Sequence, residues 1–198
     1  DISGTGIRTD FCVLDKAKRA ADIALTKRWI ECAAALGAPV LRVFGGHPVA
    51  GSHTWNETMD WVAADLRVCA EYGAAHGVMI GVQNHAHLLT TAGHVLDLLR
   101  RVDSPWFGVV LDTGSFRTEE PYEDIARVVP HAVSFQIKER PLGRDNPALM
   151  DLPKLMGLIR GGNYRGYIPI ETLPEPGIPY EPRKEVPRLL AEVRAALA

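Results

Sequence analysis

Four oxygen-bearing side chains stand where short apolar runs of this chain come to an end. Gln83 closes Val78–Val82, Asp112 closes Phe107–Leu111, Gln136 lies in Ala132–Ile137, and Glu171 follows Tyr167–Ile170. They are 29, 24 and 35 residues apart, each close to the length of one strand–helix unit. Two carboxylates and two carboxamides make an oxygen-rich cage for a hard or borderline divalent cation. Side chains alternate along a strand, so His85 shares the face of Gln83 and Lys138 shares the face of Gln136. Each residue alone has a plainer reading. Asp112, followed by Thr113-Gly114-Ser115, is also suited to capping a turn or a helix. Four such residues at the same point of a repeat favour one shared site.

The elements that must position them follow from hydrophobic periodicity and breakers. Helices are expected over Asp15–Leu36 (stopped by Gly37), Asn56–Ala75 (stopped by Gly77), Thr90 or Thr91 to Val102, Tyr122–Val129, Leu152–Ile159 and Glu181–Ala198. Strands are expected within Ile2–Val13 and over Pro39–Phe44, Val78–Gln83, Phe107–Asp112, Ala132–Ile137 and Tyr167–Ile170. Strand–helix alternation six times over, with no linker or low-complexity stretch, predicts a single α/β domain over 1–198 with a parallel sheet. An open doubly wound sheet and a (β/α) barrel both satisfy that order. No G-x-G-x-x-G follows any strand, which removes support for a dinucleotide-binding open sheet. In a parallel barrel all strand ends meet at one mouth, where the chemistry of such enzymes sits.

Composition narrows the partners. The 198 residues are 46% hydrophobic and 23% charged, with a formal net charge of −2, so no overall basic field favours nucleic acid or an anionic membrane. No apolar run reaches the length of a membrane span. Cys12, Cys32 and Cys69 are odd in number and far apart; they read as reduced thiols and suit a cytoplasmic protein. The chain opens at Asp1 without a methionine, which leaves room for an upstream portion.

Several motifs together resemble the xylose isomerase-like TIM barrels, the sugar phosphate isomerase/epimerase group. They are Leu111-Asp112-Thr113-Gly114, Gln136-Ile137-Lys138-Glu139, Tyr164–Glu171, Ala35–Gly46, Gly81–His85 and Arg8-Thr9-Asp10-Phe11. The resemblance spans nearly the whole chain. It implies a TIM barrel that is incomplete here, about six βα units with the first two of eight missing. The chain is then expected to be a fragment or to have its gap covered by a partner copy, hence a possible homo-oligomer. It also implies one divalent metal ion (manganese, zinc, cobalt or magnesium) held by Gln83, Asp112, Gln136 and Glu171, and a small-molecule sugar or sugar derivative as substrate. Two positions differ from the family's usual residues: Gln83 stands where Glu is common, and Gln136 where His is common. An amide can coordinate through oxygen but cannot act as a general base. Proton transfer therefore moves to Glu171, with Lys138 or His85 as the second group.

Further expectations concern the pocket. Arg42 is expected to point inward and pair with Asp10 or a site carboxylate. Arg42, Trp55 and His53 (the last two in the loop after the second strand) and Asn84 are expected to contact substrate. Arg140 and Arg144 read as solvated loop residues, the alternative being a contact to a substrate phosphate, and His87 as a loop residue. His47, His76, His94 and His131 read as structural. The leading function is a metal-dependent sugar isomerase or epimerase. Its rivals are a non-catalytic sugar- or metabolite-binding barrel, and a metal-dependent hydrolase or lyase of the endonuclease IV-like kind.

Overall fold

The computed structural model describes residues 1–48, 51, 53–85, 88–139, 149–174, 177 and 179–197. Six parallel strands lie in chain order: β1 (Thr5–Gly6), β2 (Val40–Phe44), β3 (Met79–Gln83), β4 (Phe107–Asp112), β5 (Ala132–Lys138) and β6 (Ile170–Glu171). Each is followed by a helix: α1 (Lys16–Leu36), α2 (Trp55–His76), α3 (Ala92–Val102), α4 (Pro121–Val128), α5 (Leu152–Gly161) and α6 (Pro182–Leu197). Strictly sequential parallel pairing curls the sheet into a half-barrel with the helices outside, as an incomplete TIM barrel requires. Among the described residues no helix is long and apolar enough to cross a membrane.

The helix boundaries have local causes. Asp15 accepts hydrogen bonds from the Ala17 and Lys18 amides at the start of α1, and Thr54 and Glu57 form a reciprocal capping box at the start of α2. Gly37 and Gly77 end these helices in left-handed backbone, at φ 71° and 69°, which a side chain would oppose. Strand alternation then sorts the sheet into two faces. Leu41, Val43, Ile80, Val82, Val109, Leu111, Phe135 and Ile137 point outward and are fully buried under the helices. They pack on Ile30, Met59, Leu66, Val95, Leu98, Ile125, Leu155 and Leu189. The opposite face carries Arg42, Gln83, Asp112, Gln136, Lys138 and Glu171. On it Asp112 is level with Gln136, and Lys138 with Glu171.

Below that polar row the interior is apolar. A register shift between β4 and β5 pairs Val109 with Ala132 and Val110 with Ser134, leaving Val133 as an extra residue in the ladder. Val133 fills space beside Gly108, where an added Cβ would lie 2.4 Å from its Cγ1. This floor positions the polar side chains at the carboxyl ends of the strands.

The two edge strands are shorter than the sequence suggests. Beyond Gly6 the chain still follows β2, but the Thr9 hydroxyl takes the ladder's place. It donates to Phe44 O (2.8 Å) and accepts from Phe44 N (3.0 Å). Asp10 consequently lies in a loop, not at a strand end. At the other edge Pro169 O accepts from Ile137 N (2.8 Å), but proline has no N–H to return, and β6 shrinks to two residues.

The cysteines give a direct test of this packing. Cys12 and Cys69 are fully buried and Cys32 is exposed. Burial pushes the Cys12 and Cys69 thiols up to about 12. A thiol reagent near neutral pH is expected to modify Cys32 alone in the native protein and all three cysteines after unfolding. Rapid native labelling of Cys12 or Cys69 would contradict the packing.

Candidate active site

The centre of the site is Asp112, the last residue of β4, which is fully buried. Its Oδ2 accepts from Gln83 Nε2 at 2.7 Å and lies 2.9 Å from Lys138 Nζ, while Oδ1 accepts from the Gly114 amide at 3.0 Å. The Lys138 ammonium also lies 3.2 Å from Glu171 Oε2. That second contact is one of charge more than of alignment, because Glu171 Oε2 has no well-formed hydrogen bond. Burial works against the lysine's charge, but Asp112 and Glu171 outweigh it and hold its pKa above the ordinary value. Gln136 is half-buried and sits beside Asp112 in register. The structure thus brings Gln83, Asp112, Gln136, Lys138 and Glu171 to one face at adjacent strand ends.

Two clamps hold these strand tips. Asn84 Oδ1 accepts from Asp112 N at 2.7 Å, and Asn84 Nδ2 donates to Asp112 O at 2.9 Å. Thr113 N donates to Gln136 O at 3.1 Å, and Thr113 Oγ1 accepts from Lys138 N at 3.0 Å. Asn84, expected to contact substrate, is fully buried, and both ends of its amide bond the Asp112 backbone. Its position one residue after Gln83 places it on the opposite face by alternation. Thr113 is a clamp that sequence reasoning misses; its place directly after Asp112 is the available signal.

Arg42 also departs from expectation. Its Nη1 donates to Ile7 O at 2.9 Å and its guanidinium lies 4.3 Å from the Phe44 ring centroid. Among the described residues it forms an ion pair with neither Asp10 nor a site carboxylate. Burial lowers its pKa, and the Glu171 charge acts in the opposite sense. Asp10 instead accepts from the amides of Cys12 and His47, both at 3.1 Å, and its Oδ2 lies 3.6 Å from His47 Nδ1. His47, expected to be structural, and Asp10 both line a cleft of about 540 Å³. Phe44, His85, Leu88 and Leu89 line the same cleft, whose size is in the range of small-molecule sites.

His85 is exposed and packs on Phe44 at 5.0 Å between ring centroids. Partial desolvation lowers its pKa, with the Asp112 charge opposing the shift. The imidazole is therefore neutral at neutral pH and able to accept a proton. Trp55 is the first residue of α2, not a loop residue, and its ring packs on His94 at 4.3 Å. His53 meets the edge of Trp61 at 5.1 Å. Both rings thus have helix partners outside the Asp112 cluster. His87, Arg140 and Arg144 lie outside the described residues.

The donor set fits a hard or borderline divalent cation in kind. Gln83 Oε1 is buried without a hydrogen-bond partner, and Glu171 Oε2 also lacks one; both are oxygen donors, like Asp112 and Gln136. Among the described residues no three His, Cys, Asp or Glu side chains converge as a metal site, so an ion here would need the amide oxygens.

A parallel βα half-barrel with polar side chains gathered at the carboxyl ends of its strands belongs to the TIM-barrel class. The sequence profile of the xylose isomerase-like TIM barrel family matches residues 2–194, and the chain belongs to that family. Among solved structures, the fold is similar to apo 3-keto-D-glucoside 4-epimerase YcjR from E. coli, with TM-score 0.79 and 15% identity over 96% of this chain and 78% of that one. It is similar as well to D-psicose 3-epimerase from Clostridium cellulolyticum H10 with D-tagatose, with TM-score 0.80 and 15% identity over 98% and 78% of the two chains. A structure of the IOLI protein with a bound zinc atom matches at TM-score 0.69 and 15% identity, over 84% of this chain and 65% of that one. No curated protein sequence matches the chain.

Proposed function

We propose that this chain is a divalent-metal-dependent isomerase or epimerase of a sugar, sugar phosphate or related hydroxy-carbonyl compound. The observation that carries the reading is the convergence of Glu171, Lys138 and Asp112 at the strand ends. The epimerases of similar fold add support of a coarser kind. Gln83, Asp112, Gln136 and Glu171 would hold the ion, which when bound supplies Lewis-acid polarisation of a substrate carbonyl.

The chain's own groups divide the remaining work. Glu171 takes the proton from the carbon beside the carbonyl, which leaves an enediolate. The Lys138 ammonium donates a hydrogen bond to the oxygen on which negative charge develops. His85, neutral at neutral pH, is the partner that carries a proton to or from the other face. Gln83 orients Asp112 and takes no part in proton transfer, because an amide is not a base at neutral pH.

A panel of keto sugars and their phosphates, incubated with protein and manganese, cobalt, zinc or magnesium in heavy water, tests the proposal. Carbon-bound deuterium with conversion of at least one sugar is the expected result. Gln83 gives weight to one rival, a sugar- or metabolite-binding barrel without catalysis. Saturable binding of a sugar with neither exchange nor conversion would decide for that rival.

A further inference from the structure

We infer that Lys138 is a built-in competitor for the divalent cation, so that its ammonium and the metal exclude one another at Asp112. The inference rests on the metal-dependent reading above and deepens it by naming what sets the metal affinity. Both oxygens of Asp112 are engaged: Gly114 N at 3.0 Å holds Oδ1, while Gln83 Nε2 at 2.7 Å and Lys138 Nζ at 2.9 Å share Oδ2. The same ammonium reaches Glu171 Oε2 at 3.2 Å. It therefore bridges the two carboxylates that an ion would need.

A divalent ion sits about 2.0–2.6 Å from carboxylate oxygens. An ion bound to Asp112 Oδ2 and Glu171 Oε2 would fall within a few ångströms of the ammonium, and two cations so close in a buried setting repel strongly. Gln83 points to the same exchange. Its N–H group faces Asp112 while its buried Oε1 has no hydrogen-bond partner. Metal entry must turn this amide so that oxygen replaces nitrogen. One ion thus displaces two donors, the amide N–H and the ammonium, and gives Gln83 Oε1 its partner. The displaced Lys138 then presents its ammonium toward the mouth, where a substrate oxygen would lie.

Calorimetric titration of manganese and zinc into the wild-type chain and Lys138→Met tests this. The variant is expected to bind at least about tenfold more tightly, because the ion no longer has to break a charge-assisted contact. Equal or weaker binding by the variant, with the wild type binding normally, overturns the competitor role and leaves the metal-dependent reading standing. No binding by either protein at millimolar metal overturns both.

A second measurement needs only the wild type, should Lys138→Met fold poorly. Acetylation of Lys138 by an amine reagent, followed by peptide mass analysis, is expected to rise at least about fivefold on adding manganese, as the ammonium leaves its buried partners. Labelling that is unchanged or reduced by the metal overturns the inference.

Discussion

Asp112→Ala is expected to lower the thermal unfolding midpoint by about 10 °C. The carboxylate is fully buried and serves Gln83, Gly114 and Lys138 together. Its removal leaves an amide N–H and a backbone N–H without their acceptor, and half of the lysine's ion pairing is lost. Breaking a buried pair from one side costs about 3–5 kcal/mol. Lys138 keeps Glu171 and 18% side-chain exposure, so the lower end applies. For a domain of this size each kcal/mol moves the midpoint by about 2–4 °C. Asp112→Asn, which preserves shape, should lose less. Circular dichroism melts of the three proteins check the ordering; an unshifted midpoint for Asp112→Ala would show that the cluster is solvated and carries little stability.

Glu171→Gln should have the opposite profile, a large loss of turnover with little loss of fold. Removing a general base costs about 10²–10⁴-fold in rate, and glutamine keeps the shape while losing the base. The residue lies in the two-residue edge strand β6, and its carboxylate contacts Lys138, which retains Asp112. The melting midpoint should therefore stay within about 2 °C of the wild type. Deuterium incorporation into the sugar found active is the readout. Wild-type exchange by Glu171→Gln would place the base elsewhere, with His85 the next group to substitute.

How much can be read from residues alone differs between the sheet's centre and its edges. β2 to β5 are apolar runs buried by helices on one face, and such runs are visible in sequence. β1 and β6 are not, because side-chain and proline effects decide where their ladders end. The Thr9 hydroxyl bonds that stand in for the β1 ladder join residues 35 positions apart, which no local pattern reveals. The gathering of Gln83, Asp112, Gln136 and Glu171 on one sheet face is legible because strand alternation and unit length both point to it. What holds that cluster together is not. That Lys138 bridges Asp112 and Glu171 depends on the spacing of three strand tips. Asn84 shows the converse, a polar residue beside the cluster whose amide is bonded to backbone.

The Asn84 clamp has a consequence for the identity of residue 83. By bonding both the N–H and the C=O of Asp112, Asn84 imitates a peptide group and adds a rung to the sheet where β3 has stopped. The tips of β3 and β4 are thereby riveted, and the 2.7 Å separation between the residue 83 side chain and Asp112 has little slack. A glutamate in that frame would set two carboxylates in contact, a pair that must share a proton or recruit a counter-ion. With glutamine the same short contact is a hydrogen bond. The amide at 83 thus lets riveted tips hold their shape with the Lys138 ammonium as counter-charge to Asp112, which makes the choice between Gln and Glu a matter of structural self-sufficiency.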